Sequence, residues 1–248
     1  MNMGKKTFST RYLAEVALFV GIILVMKITG LSSVPVGPLV MTFTMIPIAI
    51  GSMLLGPLAG TILGAVFGLT SLYDAITGKS AMTYFFFQES PFFTVLLCVG
   101  TRALVGAVTG WLFRLLSKAD KKHTWSYFAG GLAAPLLNTL FFMGFIVLVF
   151  YRTTFVQNLV NKLGASGPIM FVILVVGVQG LVEAATGLVI GGAIAKGVAH
   201  ALKRDRDPMA AQKVVMTRSL VHDTDGPTVQ ASADDTLKLI DDNKEAQK

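Results

Sequence analysis

Arg102 is the residue of this chain whose position asks most insistently for chemistry. It lies about a dozen residues into an apolar run that begins at Pro91, and an arginine at such depth in a bilayer costs about 2.5–3.5 kcal/mol on insertion scales. It needs an anion. One candidate is internal: Glu183, in the last apolar run, would form a buried ion pair that fixes the helices. The other is a carboxylate on a small solute, which the planar guanidinium can hold with two parallel N–H bonds. The two are compatible, with Glu183 holding Arg102 until a ligand displaces it. Asn138 follows Pro135 in "APLLNTLFF" and carries two donors and an acceptor, suited to a ligand amide or hydroxyl. Gln179, Glu183 and Thr186 are spaced by four and three, so they share one helix face. A network of interhelical hydrogen bonds accounts for these amides equally well. Taken together, the groups describe a pocket for a small, polar, anionic molecule.

What the chain lacks narrows the chemistry. There is no GxxxxGK[ST] loop to cradle phosphates and no GxSxG or HExxH for hydrolysis. His123, His200 and His222 are isolated, and Cys98 stands alone in an apolar run, so neither a metal nor a cofactor is implied. The two halves show no matching broken helices or run of intramembrane carboxylates for ion coupling. The chain is therefore expected to bind rather than to catalyse, and a partner must supply the work of transport. A stand-alone channel or secondary carrier, and a membrane enzyme using Glu183 and Arg102 on a lipid, are the rivals from other classes.

The elements that position these groups follow from composition. Of 248 residues, 53% are hydrophobic and 14% are charged, against about 25% charged in soluble domains. The mean hydropathy is +0.67. Residues 204–248 hold 7 Lys/Arg and 9 Asp/Glu, leaving 14 and 5 for the body. The body's basic residues sit in short clusters between apolar runs, where lipid headgroups are nearer partners than nucleic acid. We expect an all-α membrane protein whose six transmembrane helices run over about 12–30, 40–55, 57–76, 91–115, 125–151 and 167–197. Residues 1–203 would be the substrate-binding domain and 204–248 a polar, largely disordered cytoplasmic tail.

Local signals set the breaks. In "LLGPLAG", Gly56 can end one helix and Pro57 can open the next. Pro47 inside the second run should kink it, and Ser90 is placed to cap a helix that Pro91 opens. Lys5, Lys6, Arg11, Arg114, Lys118, Lys121, Lys122, Lys196, Lys203 and Arg204 gather on one side, which the positive-inside rule makes cytoplasmic together with both termini. Loops one, three and five then face outward. Loop three, "YDAITGKSAMTYFFFQES", is long and apolar, either a set of interface anchors or a lid. Glu15 and Lys27 lie near helix ends and can snorkel.

Small residues four apart mark packing faces in lipid. Gly60, Gly64 and Gly68 form one such stripe, and Gly106 and Gly110 another. Ala14, Ala17 and Gly21, spaced by three and four, form a third small face, on a terminal helix near its cytoplasmic end, where another membrane protein can dock.

The stretches "TMIPIAIGSMLLGPLAGTILGAVFGLTSLYDA" and "SPFF…TRALVGAVTGWLFRLL" resemble the substrate-binding S components of energy-coupling factor (ECF) vitamin transporters, most closely the pantothenate branch. The likeness covers roughly residues 8–203. It implies a six-helix bundle with substrate near the outer surface under loops one and three, in a bacterial cytoplasmic membrane. It implies partners too: a transmembrane T component and two cytoplasmic ATPases. The family's AxxxA docking motif stands here as Ala17-Leu18-Phe19-Val20-Gly21, with glycine for the second alanine. On this resemblance Arg102 would meet the carboxylate of pantothenate, Asn138 and Gln179 its amide or hydroxyls, and Phe43, Tyr73, Phe87 and Phe92 would form lid or wall. Folate, a thiamine precursor or queuosine is the alternative cargo.

Overall fold

Glycine and proline punctuate the apolar runs into helices. In the computed structural model, which describes residues 10–32, 34–36, 39–120 and 124–202, α1 spans Thr10–Ile28 and is followed by a short antiparallel hairpin, β1 (Val34–Val36) and β2 (Leu39–Met41). The hairpin pairs Val34 with Met41 and Val36 with Leu39. Then come α2 (Met45–Leu55), α3 (Pro57–Thr77), α4 (Ala81–Glu89), α5 (Pro91–Val95), α6 (Thr101–Ala119), α7 (Trp125–Phe145), α8 (Thr154–Leu163), α9 (Pro168–Thr186) and α10 (Gly192–Ala201). Single π-helical turns join α5 to α6 over Leu96–Gly100 and α9 to α10 over Gly187–Gly191, and a third extends α7 over Ile146–Phe150. The tail, 204–248, lies outside the described residues.

Four helical stretches are long and apolar enough to cross a membrane: Pro57–Thr77, Pro91–Ala119, Trp125–Phe150 and Gly180–Ala201. A fifth is formed if α8 and Pro168–Gly177, bent by 74° from one another, count as one span. Three of the six expected spans differ from their sequence reading: the run 167–197 is divided at Gly177–Gly180, and α1 and α2 fall short of a full apolar span. Helix α1 has 19 residues, about 28 Å at 1.5 Å per residue, but any 18-residue window of it contains Arg11, Glu15 and Lys27. The structure pairs these charges: Arg11 Nε donates to Glu15 Oε1 at 3.0 Å, and Lys27 Nζ meets Asp74 Oδ2. Helix α2 has only 11 residues, because the hairpin takes up the chain before it. Pro47 therefore falls in its first turn, where the missing N–H leaves no bond broken and no kink follows.

The expected punctuation between α2 and α3 is present. Gly56 adopts φ +96°, a conformation that side-chain-bearing residues rarely reach, and Pro57 is the first residue of α3. Ser90 and Pro91 occupy the expected N-cap and first helical positions, although no hydrogen bond runs from the Ser90 side chain to the helix. Loop three is itself helical: α4 buries Phe86, which stacks on Phe150 at 4.4 Å, while Phe85 stacks on Phe155 of α8 at 4.7 Å.

The core is built around α2, nearly every residue of which is buried. Its Ala49, Met53 and Leu54 cluster with Tyr12 and Val16 of α1, Phe113 of α6 and Tyr127 of α7. Beside it, α3 and α6 run antiparallel with their backbones in contact. A Cβ on Gly60 would strike the carbonyl of Gly106, and one on Gly64 the carbonyl of Arg102. Gly68 meets Cys98 and Val99, and Gly110 meets Pro57. Both stripes are internal packing faces, as their spacing implied.

Candidate functional site

The glycine seam brings Arg102 against α3. With the backbones touching at Gly64, the guanidinium must leave the seam, and it lies between two aromatic rings. Its Cζ is 4.7 Å from the ring centre of Phe67 on α3 and 4.6 Å from that of Phe142 on α7. Each ring face offers a cation its negative quadrupole. One nitrogen donates to the Cys98 carbonyl at 3.3 Å, one turn earlier along the same helix rod. Arg102 is only 8% exposed, and its Nε has no hydrogen-bond partner.

Among the described residues no carboxylate lies within ion-pair distance of Arg102. The internal pairing with Glu183 is therefore not formed. Glu183 is buried, and its Oε1 accepts the backbone N–H of Thr42 at 2.9 Å. That bond ties the end of the loop-one hairpin to α9, a long-range latch that sequence spacing could not reveal.

Asn138 stands on α7 one turn before Phe142, hence on the same face. It is partly buried, and its Oδ1 has no hydrogen-bond partner. Phe67, Ser71 and Asp74 form a corresponding stripe on α3, spaced by four and three. Ser71 Oγ lies 3.9 Å from Cys98 Sγ, and Asp74 keeps a buried Oδ1 with no partner. Three helices thus converge on one region, and each contributes a polar atom left unsatisfied. Such atoms are costly when buried and few in folded proteins.

Not every expected residue joins this region. Phe43, in the turn before α2, and Phe87, on α4, are half-buried, whereas Tyr73 and Phe92 are 55% and 73% exposed. Tyr73 carries Lys79 over its ring at 5.3 Å. The Gln179 side chain lies outside what is described. The sequence reading missed Phe67 and Phe142, the two rings that flank Arg102, and Asp74. Their signal was present: Phe67 and Asp74 are seven apart on one face, and Phe142 is four from Asn138. Lys27, read as snorkelling, is instead the partner of Asp74.

On α1, Ala14 and Ala17 are exposed, and a Cβ on Gly21 would meet nothing within 4 Å. Tyr12, Val16 and Ile23 fix the opposite face in the bundle. Among the described residues no group of three or more His, Cys, Asp or Glu is assembled to hold a metal.

The sequence profile described as "ECF transporter, substrate-specific component" matches residues 11–191, which takes in α1, the hairpin, Arg102, Asn138 and Glu183. The chain belongs to that family. It is the substrate-specific component of an ECF transporter and a multi-pass membrane protein. The pantothenate transporter PanT of Leuconostoc mesenteroides subsp. mesenteroides is 28% identical to this S component over 193 residues, covering 75% of this chain and 90% of that protein.

Proposed function

We propose that this S component binds pantothenate at the outer side of a bacterial cytoplasmic membrane, for uptake driven by ATP hydrolysis in partner ATPases. The observation that carries the reading is Arg102: a buried cation with a free N–H, held between Phe67 and Phe142, with no carboxylate at ion-pair distance among the described residues. Likeness to PanT supports the choice of vitamin. Arg102 takes the carboxylate, and Asn138 meets the amide or a hydroxyl, joined by Gln179. Phe43 and Phe87 close over the ligand together with the hairpin that Glu183 latches, and Tyr73 and Phe92 lie at the rim.

The proposed topology has six spans with both termini inside. Helix α1 crosses with its charges paired, α2 lies sheathed by protein, and α3, α5–α6, α7 and α9–α10 complete the bundle. The exposed face of Ala14, Ala17 and Gly21 receives the T component, to which the two ATPases attach. Isothermal titration of the purified protein tests the ligand: pantothenate binds, and folate, thiamine precursors and queuosine do not. Binding of one of those instead overturns the vitamin assignment. Liposomes tell a dependent subunit from a self-sufficient carrier, since uptake by the S component without T component and ATPases would overturn the proposal.

A further inference from the structure

Asp74 is a part-buried carboxylate near the end of α3 with half of its hydrogen-bonding capacity unused. Lys27 of α1 meets its Oδ2, while Oδ1 is buried and without a partner. It faces the same region as Arg102, because Phe67 and Asp74 share one face of α3 and the guanidinium rests on Phe67. The two charges do not meet. The antiparallel seam sets their separation: Gly68 lies level with Cys98, whose carbonyl the guanidinium has reached. Asp74 is six residues farther out along α3, about 9 Å at 1.5 Å per residue. A free N–H donor and a free carboxylate oxygen therefore face one region from two levels. Lys27 cancels the charge of Asp74, so the region keeps the single positive charge of Arg102. This balance suits a monoanion whose other end offers a neutral donor.

We infer that Asp74 Oδ1 accepts a hydrogen bond from a hydroxyl of the bound ligand, so that Arg102 and Asp74 together select a hydroxylated carboxylate of matching length. Lys27 is the positioning residue that orients Asp74 through its contact with Oδ2. The inference rests on the pantothenate reading and deepens it, since pantothenate carries a carboxylate at one end and two hydroxyls toward the other.

The test compares pantothenate with N-(3,3-dimethylbutanoyl)-β-alanine, which keeps the carboxylate and amide and lacks both hydroxyls. Each is titrated into wild type, into Asp74→Ala combined with Lys27→Met, and into Asp74→Asn. The double variant preserves charge balance, and the asparagine variant preserves shape should the first fail to fold. A hydrogen bond to a charged group implies a loss of about tenfold to a hundredfold for pantothenate in the double variant, with a smaller loss in Asp74→Asn. The dehydroxylated compound binds wild type and variants with equal, weaker affinity. Equal losses for both compounds, or none for pantothenate, overturn the role of Asp74 while leaving the vitamin assignment intact. Failure of wild type to bind pantothenate overturns both.

Discussion

The two ends of the α3–α6 pair solve opposite problems with the same two helices. Toward the Pro57 end of α3, Gly60, Gly64, Gly106 and Gly110 bring backbone onto backbone and leave no room for a single added carbon. Toward the Thr77 end the last seam glycine is Gly68, and beside it Phe67, Ser71 and Asp74 face Cys98 and Arg102 with hydrogen-bonding capacity left over. Close contact optimises dispersion and needs no partner. Buried polarity without partners costs stability and is retained where a ligand supplies what is missing. One end of the seam is a fastening and the other is the proposed receptor, and the change falls within about two turns of α3.

Substitutions at the two ends should therefore differ in kind. The largest expected effect is Gly106→Leu, which must displace the backbone of α3. Its cost should exceed the 1–3 kcal/mol usual for overpacking, seen as loss of monodisperse protein on size exclusion. A near-normal yield and melting temperature would show that the seam is looser than its geometry. At the other end, Arg102→Met should cut affinity for an anionic vitamin by about tenfold to a hundredfold, the loss of charge-assisted hydrogen bonds. The ligand-free protein should melt no lower than wild type, because removing an unpaired buried cation relieves its desolvation. A fall in ligand-free stability together with unchanged affinity would make Arg102 a structural residue and erase the contrast.

Smaller effects sharpen the comparison. Glu183→Ala removes the acceptor for the Thr42 N–H, a bond worth about 1.5–3 kcal/mol where the acceptor is charged. Hydrogen exchange around Thr42 should accelerate while exchange along the α3–α6 seam stays unchanged. Uniform acceleration would show that the hairpin is no separate unit. The smallest expected effect on the isolated protein is that of Gly21→Leu, whose new side chain enters open space. Its stability should stay within about 0.5 kcal/mol of wild type, while co-purification with T component and ATPases should fall. Intact assembly would remove α1 as the docking face.

Much of the framework was legible because its signals are local. A glycine able to take φ +96° before Pro57, and small residues four apart, each act within one or two turns. The hairpin escaped the reading because β1 falls in the proline-stiffened loop one, while β2 overlaps an apolar stretch that also fits the start of a helix. That one misreading shortened α2 and moved Pro47 from a helix interior to a first turn. Asp74 escaped for a different reason. It sits near the end of α3, where a charge ordinarily reaches water, and its link to Lys27 spans 47 residues.

From the order of its residues alone this chain was committed to a membrane, to helices broken at particular glycines and prolines, and to a buried arginine that must find an anion. Hydrophobicity, backbone strain and the cost of burying charge belong to single residues and their near neighbours, so no fold is needed to read them. Which partner each charge took was left to the tertiary arrangement: Glu183 to the Thr42 amide, Asp74 to Lys27, and Arg102 to two rings instead of a carboxylate. Pairings of that kind depend on which helix faces meet and at what level, and the contact of Gly64 with the backbone of Arg102 sets that level.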